Sequence, residues 1–382
     1  MKAGLLGRKL GHSLSPQIHR LFGDYDYRLY EREPEAVEEF LRTGFARGDF
    51  DFLNVTIPYK KDVFRLCDAL SPLAQRLGNV NFVMRRPDGT LYGDNTDAFG
   101  VERLLKTVGA DVKGRKCAIL GAGGAAMTVQ AVLEELGAAE APFVRRGELP
   151  SKDAYLLVNA TPVGMYPDVD GVRVDIADYP VCEVVVDLVY NPSPTRLVRE
   201  ARVCGKKAVD GLVMLIAQAY RAYEQVTSDA QRSQTIYLYG PPASGKSTLG
   251  AKVAAAIDWK FVDLDAEIVK KAGCPIPEIF AAEGEPGFRA REQAALRAVS
   301  SVGGQVVALG GGALLNAESR ALAEATGRVV CLDCPLETLM SRLSGGSRPL
   351  AADAERLRRL MADRKDHYAS FPTRISFASV LR

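Results

Sequence analysis

An α/β fold built on parallel sheets, in more than one domain, is what this sequence predicts. Three observations carry that expectation. Short β-rich apolar runs alternate with helical stretches, the clearest runs being Cys117–Leu120, Tyr155–Asn159, Val184–Leu188, Thr235–Tyr239, Gln305–Leu309 and Val329–Leu332. Two glycine-rich turns each join such a strand to a helical stretch. A polar stretch over 226–234 lies between them and reads as an interdomain linker.

The bulk properties bound the answer. A chain of 382 residues asks for two or three domains. Hydrophobic residues at 47% and charged residues at 25% exclude a disordered or fibrous chain. With 49 Lys and Arg against 47 Asp and Glu, a net charge of +2 makes no polycationic surface, so neither nucleic acid nor a membrane is expected as partner. No apolar run approaches the roughly 20 residues of a membrane span. The first 16 residues return to Lys and Arg too soon for a signal-peptide core, so a cytoplasmic location is expected. The seven cysteines are odd in number and scattered, and Cys331-Leu-Asp-Cys334 lacks a second pair or a nearby His. Free thiols are expected.

In the C-terminal half, Gly240-Pro-Pro-Ala243-Ser244-Gly245-Lys246-Ser247-Thr248 follows the strand Thr235–Tyr239 and opens a helix over Leu249–Ala256. Small residues there let backbone N–H groups wrap a phosphate, Lys246 reaches the β/γ oxygens, and Ser247 ligates Mg²⁺. ATP is therefore expected, with Mg²⁺. Asp263 and Asp265 stand two apart at a strand end, hence on one face. Beyond them come Gly284-Glu-Pro-Gly-Phe288-Arg289-Ala-Arg291-Glu292, Gly310-Gly311-Gly312, Arg348-Pro-Leu and Arg364. The arginines point to an anionic acceptor, because a guanidinium pairs with a carboxylate through two prongs.

Over residues 235–382 this set resembles shikimate kinase, a P-loop domain of the nucleoside-monophosphate-kinase kind with a parallel sheet. The resemblance implies that Asp265 holds the acceptor hydroxyl and takes its proton, while Asp263 supports Mg²⁺ through water. It gives Arg289, Arg364 and the Gly311–Gly312 backbone to the ring acid, and sets Arg348 on a lid that reaches the transferring phosphoryl group. Glu292 would orient Arg289. Arg291 reads as a solvated helix charge, and Arg342 as another or as a neighbour of adenine.

In the N-terminal half, Cys117–Leu120 runs into Gly121-Ala122-Gly123-Gly124-Ala125-Ala126 and a helix over Thr128–Leu136. This is close to the dinucleotide form of the glycine turn of a Rossmann-like domain. The following strand ends Val144-Arg145-Arg146, where an acidic residue would select NAD. Arginines suit a 2′-phosphate, so NADP is expected. From Arg145 to Asp153 only nine residues precede the next strand, with Gly147 and Pro150 among them. A parallel crossover normally takes a dozen or more, mostly helical. One helix and an edge strand are therefore expected to be missing. Nine extended residues reach about 30 Å, enough to cross two strand spacings of roughly 4.8 Å.

Upstream, polar residues gather in His12-Ser13-Leu-Ser15, Asn54-Val-Thr56-Ile-Pro-Tyr-Lys60-Lys61, Gly78-Asn-Val-Asn81 and Asp94-Asn95-Thr96-Asp97. A Lys and an Asp meeting in a closed cleft are poised to exchange a proton with an alcohol or carbonyl oxygen. His12 and His19 read as structural hydrogen-bonders, and Lys61 as a surface charge. Over residues 1–225 these segments resemble shikimate dehydrogenase. The resemblance makes Lys60 and Asp97 the catalytic pair and gives Ser13, Ser15 and Tyr190 to the substrate carboxylate. Thr56, Asn81, Asn95 and Gln218 go to the ring hydroxyls or their support. Thr161, Gly211 and Met214 would lie along the nicotinamide.

The domains expected are a substrate lobe of 1–97 with 211–225, a shortened cofactor domain of 98–210, a linker of 226–234 and a kinase domain of 235–382. Together the two resemblances imply consecutive reactions sharing one intermediate. The first is NADPH-dependent reduction of 3-dehydroshikimate to shikimate, and the second its Mg-ATP-dependent phosphorylation to shikimate 3-phosphate. Two alternatives stay open at this point: a kinase carrying a non-catalytic module derived from a dehydrogenase, and a dehydrogenase that takes quinate.

Overall fold

The computed structural model describes residues 1–11, 13–228, 234–344 and 350–381. The chain divides into two compact units, residues 1–19 with 24–226 and residues 20–23 with 227–382.

The first unit holds two sheets. Its first sheet has the order β2-β1-β3-β5-β6-β4, from β1 (Lys2–Gly7), β2 (Asp26–Glu31), β3 (Phe52–Val55), β4 (Ala69–Leu70), β5 (Phe82–Arg85) and β6 (Leu91–Asp94). The centre is parallel, and β5 pairs antiparallel with both β3 and β6. All four residues of β3 are buried, as expected of a strand covered on two faces. The helices are α1 (Ser15–Phe22), α2 (Val37–Arg47), α3 (Lys60–Leu66), α4 (Pro72–Leu77) and α5 (Asp97–Val108).

The second sheet is wholly parallel, in the order β11-β10-β9-β7-β8. Its elements are β7 (Cys117–Leu120), α6 (Gly124–Glu135), β8 (Phe143–Val144), β9 (Leu156–Asn159), β10 (Val184–Asp187), α7 (Arg196–Val203), β11 (Lys207–Val209) and α8 (Leu212–Glu224). Helix α6 begins at Gly124, four residues ahead of the expected Thr128, because the glycine turn itself supplies the first helical residues. Ala222 of α8 packs with Ala3, Phe52 and Phe82 of the first sheet, so the chain returns to where it began.

Between β8 and β9 there is neither helix nor strand, and a bare segment crosses over β7 from one edge of the sheet. Local bonds hold it. The Glu148 carboxylate accepts the Arg145 N–H at 2.6 Å, Lys116 Nζ reaches Asp153 at 2.8 Å, and the Lys152 ammonium lies 4.4 Å from the centre of the Tyr179 ring. β9 and β10 are also joined without an α-helix, by residues 160–183 with one 3₁₀ turn, Ile176–Asp178.

The second unit is built on one parallel sheet, ordered β13-β14-β12-β15-β16, from β12 (Thr235–Tyr239), β13 (Lys260–Asp263), β14 (Gln305–Ala308), β15 (Gly327–Leu332) and β16 (Arg374–Ile375). The helices are α9 (Lys246–Ile257), α10 (Leu264–Ala272), α11 (Ile276–Ser300), α12 (Ala317–Thr326), α13 (Leu336–Ser344) and α14 (Leu350–Ala369). Strand β12 is central, so its carboxyl end opens at the point where the strand order reverses, the usual place for a ligand. Helix α11 is broken at Gly284, whose φ of 67° and ψ of −174° are not helical, with Pro286 just beyond. All seven cysteines are free. Among the described residues no helix is long and apolar enough to cross a membrane.

Candidate active sites

In the first unit a cavity of about 250 Å³ collects residues from both sheets. Lys60 and Asp97 are the first residues of α3 and α5, and Lys60 Nζ lies 2.5 Å from Asp97 Oδ2. Their side chains remain 27% and 16% exposed, so the pair is held by the protein yet reachable by a small molecule. A helix N-terminus favours the Asp97 carboxylate.

Two buried amides brace that turn. Asn81 takes the Thr96 N–H on Oδ1 at 2.6 Å and donates from Nδ2 to the Thr96 hydroxyl at 3.1 Å. Asn95 Oδ1 accepts the Asp97 N–H at 3.0 Å, and its Nδ2 donates to Asn79. Asn81 still faces the cavity, whereas Asn95 is buried beneath the pair.

Ser13 and Ser15 both line the cavity, their hydroxyls 3.1 Å apart. Ser15 does so as the first residue of α1. Thr56, Tyr190 and Gln218 complete the polar wall, and burial raises the Tyr190 phenol. Gly211 and Met214 close the cavity from the cofactor side. A Cβ on Gly211 would stand 2.0 Å from the Leu188 carbonyl, so only glycine fits there.

Asn54, not assigned a role from the sequence, also lines the cavity. Its Oδ1 accepts the Tyr27 hydroxyl at 2.9 Å, and its buried Nδ2 has no protein partner. The signal was available, since Asn54 on β3 stands two residues before Thr56, which follows the strand's end, and both line the cavity. His19 is buried behind this wall, stacked on Tyr27 at 4.0 Å between ring centroids. His12 lies outside the described residues, and Lys61 is exposed.

A second cavity of about 620 Å³ opens at the glycine turn, lined by Gly121, Ala122, Arg145, Arg146, Thr161 and Arg173 among others. Gly121 has a φ of 112°, and a Cβ there would meet Thr161 at 3.0 Å. Gly123 and Gly124 face open space, leaving the start of α6 uncovered. That bare helix terminus fits a dinucleotide pyrophosphate. Ala125 faces the first cavity, that of Lys60 and Asp97. Thr161 is fixed by its hydroxyl on Asn159 Oδ1 at 2.6 Å, and Asn159 in turn bonds Asp187, whose carboxyl burial raises to about 6.

In the second unit Gly240–Gly245 wraps the amino end of α9, with Gly245 as its N-cap. Ala243, at φ 59°, and Gly245, at φ 94°, turn the backbone into the left-handed region, the geometry of an anion-binding nest. Lys246 Nζ donates to the carbonyls of Gly240 (3.0 Å) and Pro241 (2.7 Å), and burial lowers its ammonium to about 8. The Ser244 hydroxyl is buried without a partner, an orphan that a phosphate oxygen would satisfy. Thr248 follows, exposed, on α9.

Ser247 Oγ donates to Asp263 Oδ2 at 2.6 Å, two hard oxygen groups suited to Mg²⁺. Among the described residues no three His, Cys, Asp or Glu side chains are gathered to hold a metal by themselves. A magnesium ion there would be completed by nucleotide phosphates and water. Asp263 also caps α10 by accepting the Asp265 N–H at 3.1 Å. Burial, and then the Asp263 charge, raise the Asp265 carboxyl.

Beyond the break in α11, Arg289 is clamped between Glu292 (2.6 Å) and Glu285 (3.2 Å), and a Cβ on Gly312 would strike its guanidinium at 2.7 Å. The Gly311 carbonyl accepts from Arg364 (3.0 Å), Tyr368 (2.7 Å) and Tyr239 (3.2 Å). The two tyrosines were not singled out from the sequence, since an aromatic in a core strand and one on a helix read as packing. Arg291 pairs with Glu283 at 2.6 Å, and Arg342 donates to the Ala243 carbonyl of the phosphate loop at 3.0 Å. Arg348 lies outside the described residues.

The chain is similar to known proteins over both halves. The family model for shikimate kinase matches residues 242–379, and that for the shikimate dehydrogenase substrate binding domain matches residues 5–83. A shikimate dehydrogenase (NADP(+)) of Clostridium perfringens strain SM101 is 35% identical over 265 residues, 61% of this chain and 96% of the relative. One from Methanopyrus kandleri is 38% identical over 266 residues, 59% of this chain and 90% of its own. Shikimate 5-dehydrogenase from Thermus thermophilus, solved in complex with NADP(H) and shikimate, superposes with a TM-score of 0.54 at 30% identity, covering 67% of this chain and 98% of that one. A chorismate mutase/shikimate 5-dehydrogenase fusion from Clostridium acetobutylicum gives a TM-score of 0.55 at 33% identity, over 59% of this chain and 92% of that chain. In its N-terminal part the chain belongs to the shikimate dehydrogenase family, and in its C-terminal part it carries a shikimate kinase domain.

Proposed function

We propose the residue roles by which this bifunctional shikimate-pathway enzyme reduces 3-dehydroshikimate and phosphorylates the shikimate formed. The domains are 1–97 with 211–225 for the ring acid, 98–210 for NADP, 226–234 as linker and 235–382 for phosphoryl transfer. The enzyme works in the cytoplasm on small molecules alone.

In the first site Ser13, Ser15 and Tyr190 bind the substrate carboxylate. Asn54, Thr56, Asn81 and Gln218 bind the ring hydroxyls, and Asn95 holds Asp97 in place. Gly121–Ala125, Arg145 and Arg146 hold NADPH, with Thr161, Gly211 and Met214 along its nicotinamide. Bound there, NADPH supplies a hydride to the ring carbonyl carbon. Lys60 gives the proton that the carbonyl oxygen takes up, and Asp97 keeps the ammonium aimed at that oxygen.

In the second site Gly240 and Ala243–Thr248 hold ATP, and Ser247, with Asp263 through water, would hold Mg²⁺, which would supply positive charge to the phosphates. Arg289, Arg364 and the Gly311–Gly312 backbone hold the ring acid. Asp265 accepts the proton of the acceptor hydroxyl as its oxygen bonds to the γ-phosphorus, and ADP leaves. Lys246 and Arg348 stabilise the charge on the transferring group.

The observation that carries the reading of the first site is the 2.5 Å contact of Lys60 with Asp97 inside a cavity that also includes Gly211 and Met214. Lys60→Ala tests it. Reduction of 3-dehydroshikimate, followed by NADPH absorbance, is expected to fall by about 10²–10⁴-fold, with ADP formation from ATP and shikimate unchanged. Unaltered reduction would remove Lys60 from the chemistry.

A further inference from the structure

Arg173 has no role in either reading above, yet it lines the cofactor cavity. It belongs to the connection between β9 and β10 and is less exposed than Arg145 and Arg146. Its Nη2 donates to the carbonyl of Arg145 at 2.9 Å. That carbonyl sits directly after β8, where the ribose of a dinucleotide lies in this kind of fold.

The missing helix gives this contact its meaning. Normally the chain after the second strand would turn into a helix and cover this flank of the sheet. Here it leaves as the bare crossing, and the β9–β10 connection brings a guanidinium to the same spot. Among the described residues Arg173 makes no ion pair, so its remaining N–H groups are uncommitted and can fork onto an anion. The one carboxylate lining the cavity, Glu148, has an oxygen occupied by the Arg145 N–H at 2.6 Å.

We propose that Arg173 is a specificity-determining residue that binds the 2′-phosphate of NADP together with Arg145 and Arg146. This rests on the reading of the cavity as the dinucleotide site. Arg173 supplies a cation from a segment remote in sequence, set in place by its bond to the Arg145 carbonyl.

The test is calorimetric titration of the full-length protein with NADP⁺ and NAD⁺, the kinase site first saturated with Mg·ADP. Arg173→Leu is expected to weaken NADP⁺ by about tenfold and NAD⁺ by less than twofold, as loss of one charge-assisted contact would. Arg173→Lys, which keeps the charge, recovers part of the loss and serves if the leucine variant misfolds. Equal weakening of both dinucleotides would make Arg173 a tether of the crossing segment, and unchanged NADP⁺ binding would leave it no part; either overturns the proposal. Wild-type protein that binds neither dinucleotide would overturn the reading of the site itself.

Discussion

The two glycine turns, both proposed above as polyphosphate cradles, are furnished with cations in opposite ways. In the kinase half the cation is part of the turn. Lys246 follows Gly245 directly, is half-buried against the loop's own carbonyls, and is lowered to about 8 by that desolvation. In the dehydrogenase half the turn from Gly121 to Ala125 carries no charge. The cations lining the cavity at that turn, Arg145, Arg146 and Arg173, come from two other connections. A cation built into the loop is compact, titratable and shielded from solvent. Cations assembled from afar are forked, permanently charged and exposed to salt.

That contrast can be broken by experiment. The largest effect is expected from Lys246→Ala, which should lower ADP formation about a thousandfold, as loss of a preorganised donor to the transferring group does. NADPH oxidation with 3-dehydroshikimate should be unchanged. If NADPH oxidation fell as well, the two cradles would not be independent.

A smaller effect follows from pH. Burial disfavours the charged amine, so Lys246 in the free loop discharges as pH rises through about 8. ADP affinity should therefore fall about tenfold between pH 7 and 9, measured by calorimetry at constant Mg²⁺. A guanidinium site has no such titration in that range, so NADP⁺ affinity should stay level. Parallel declines would mean that the lysine does not set the difference.

The smallest effect is that of salt. Between 0.05 and 0.5 M, NADP⁺ binding should weaken about threefold and ADP binding by less, because screening acts on exposed charges first. The reverse order, read from the same titrations, would contradict the picture of an open arginine cluster.

Much of this was legible along the chain, and the reason differs by region. Strand β12 and the loop after it are one continuous instruction, an apolar run followed by GxxxxGKST, and the structure keeps it as Thr235–Tyr239 leading into α9. The bare crossing was legible for a simpler reason, since nine residues with a glycine and a proline cannot form a packed crossover helix. Lys60 and Asp97 could be nominated by residue type. Their 2.5 Å approach could not be read from a line of letters, because it depends on α3 and α5 starting from neighbouring parts of one sheet.

Local chemistry decides what neighbours in sequence decide: glycines that permit a turn, a lysine behind them, a strand long enough to be buried. These determined two glycine turns that each open a helix, an α/β chain and the bare crossing after β8. Folding in three dimensions decided the rest. It gave the Gly311 carbonyl three donors and brought Arg173 to the Arg145 carbonyl. Such contacts join residues through the spacing of strands rather than the spacing of letters, so no periodicity in the chain announces them.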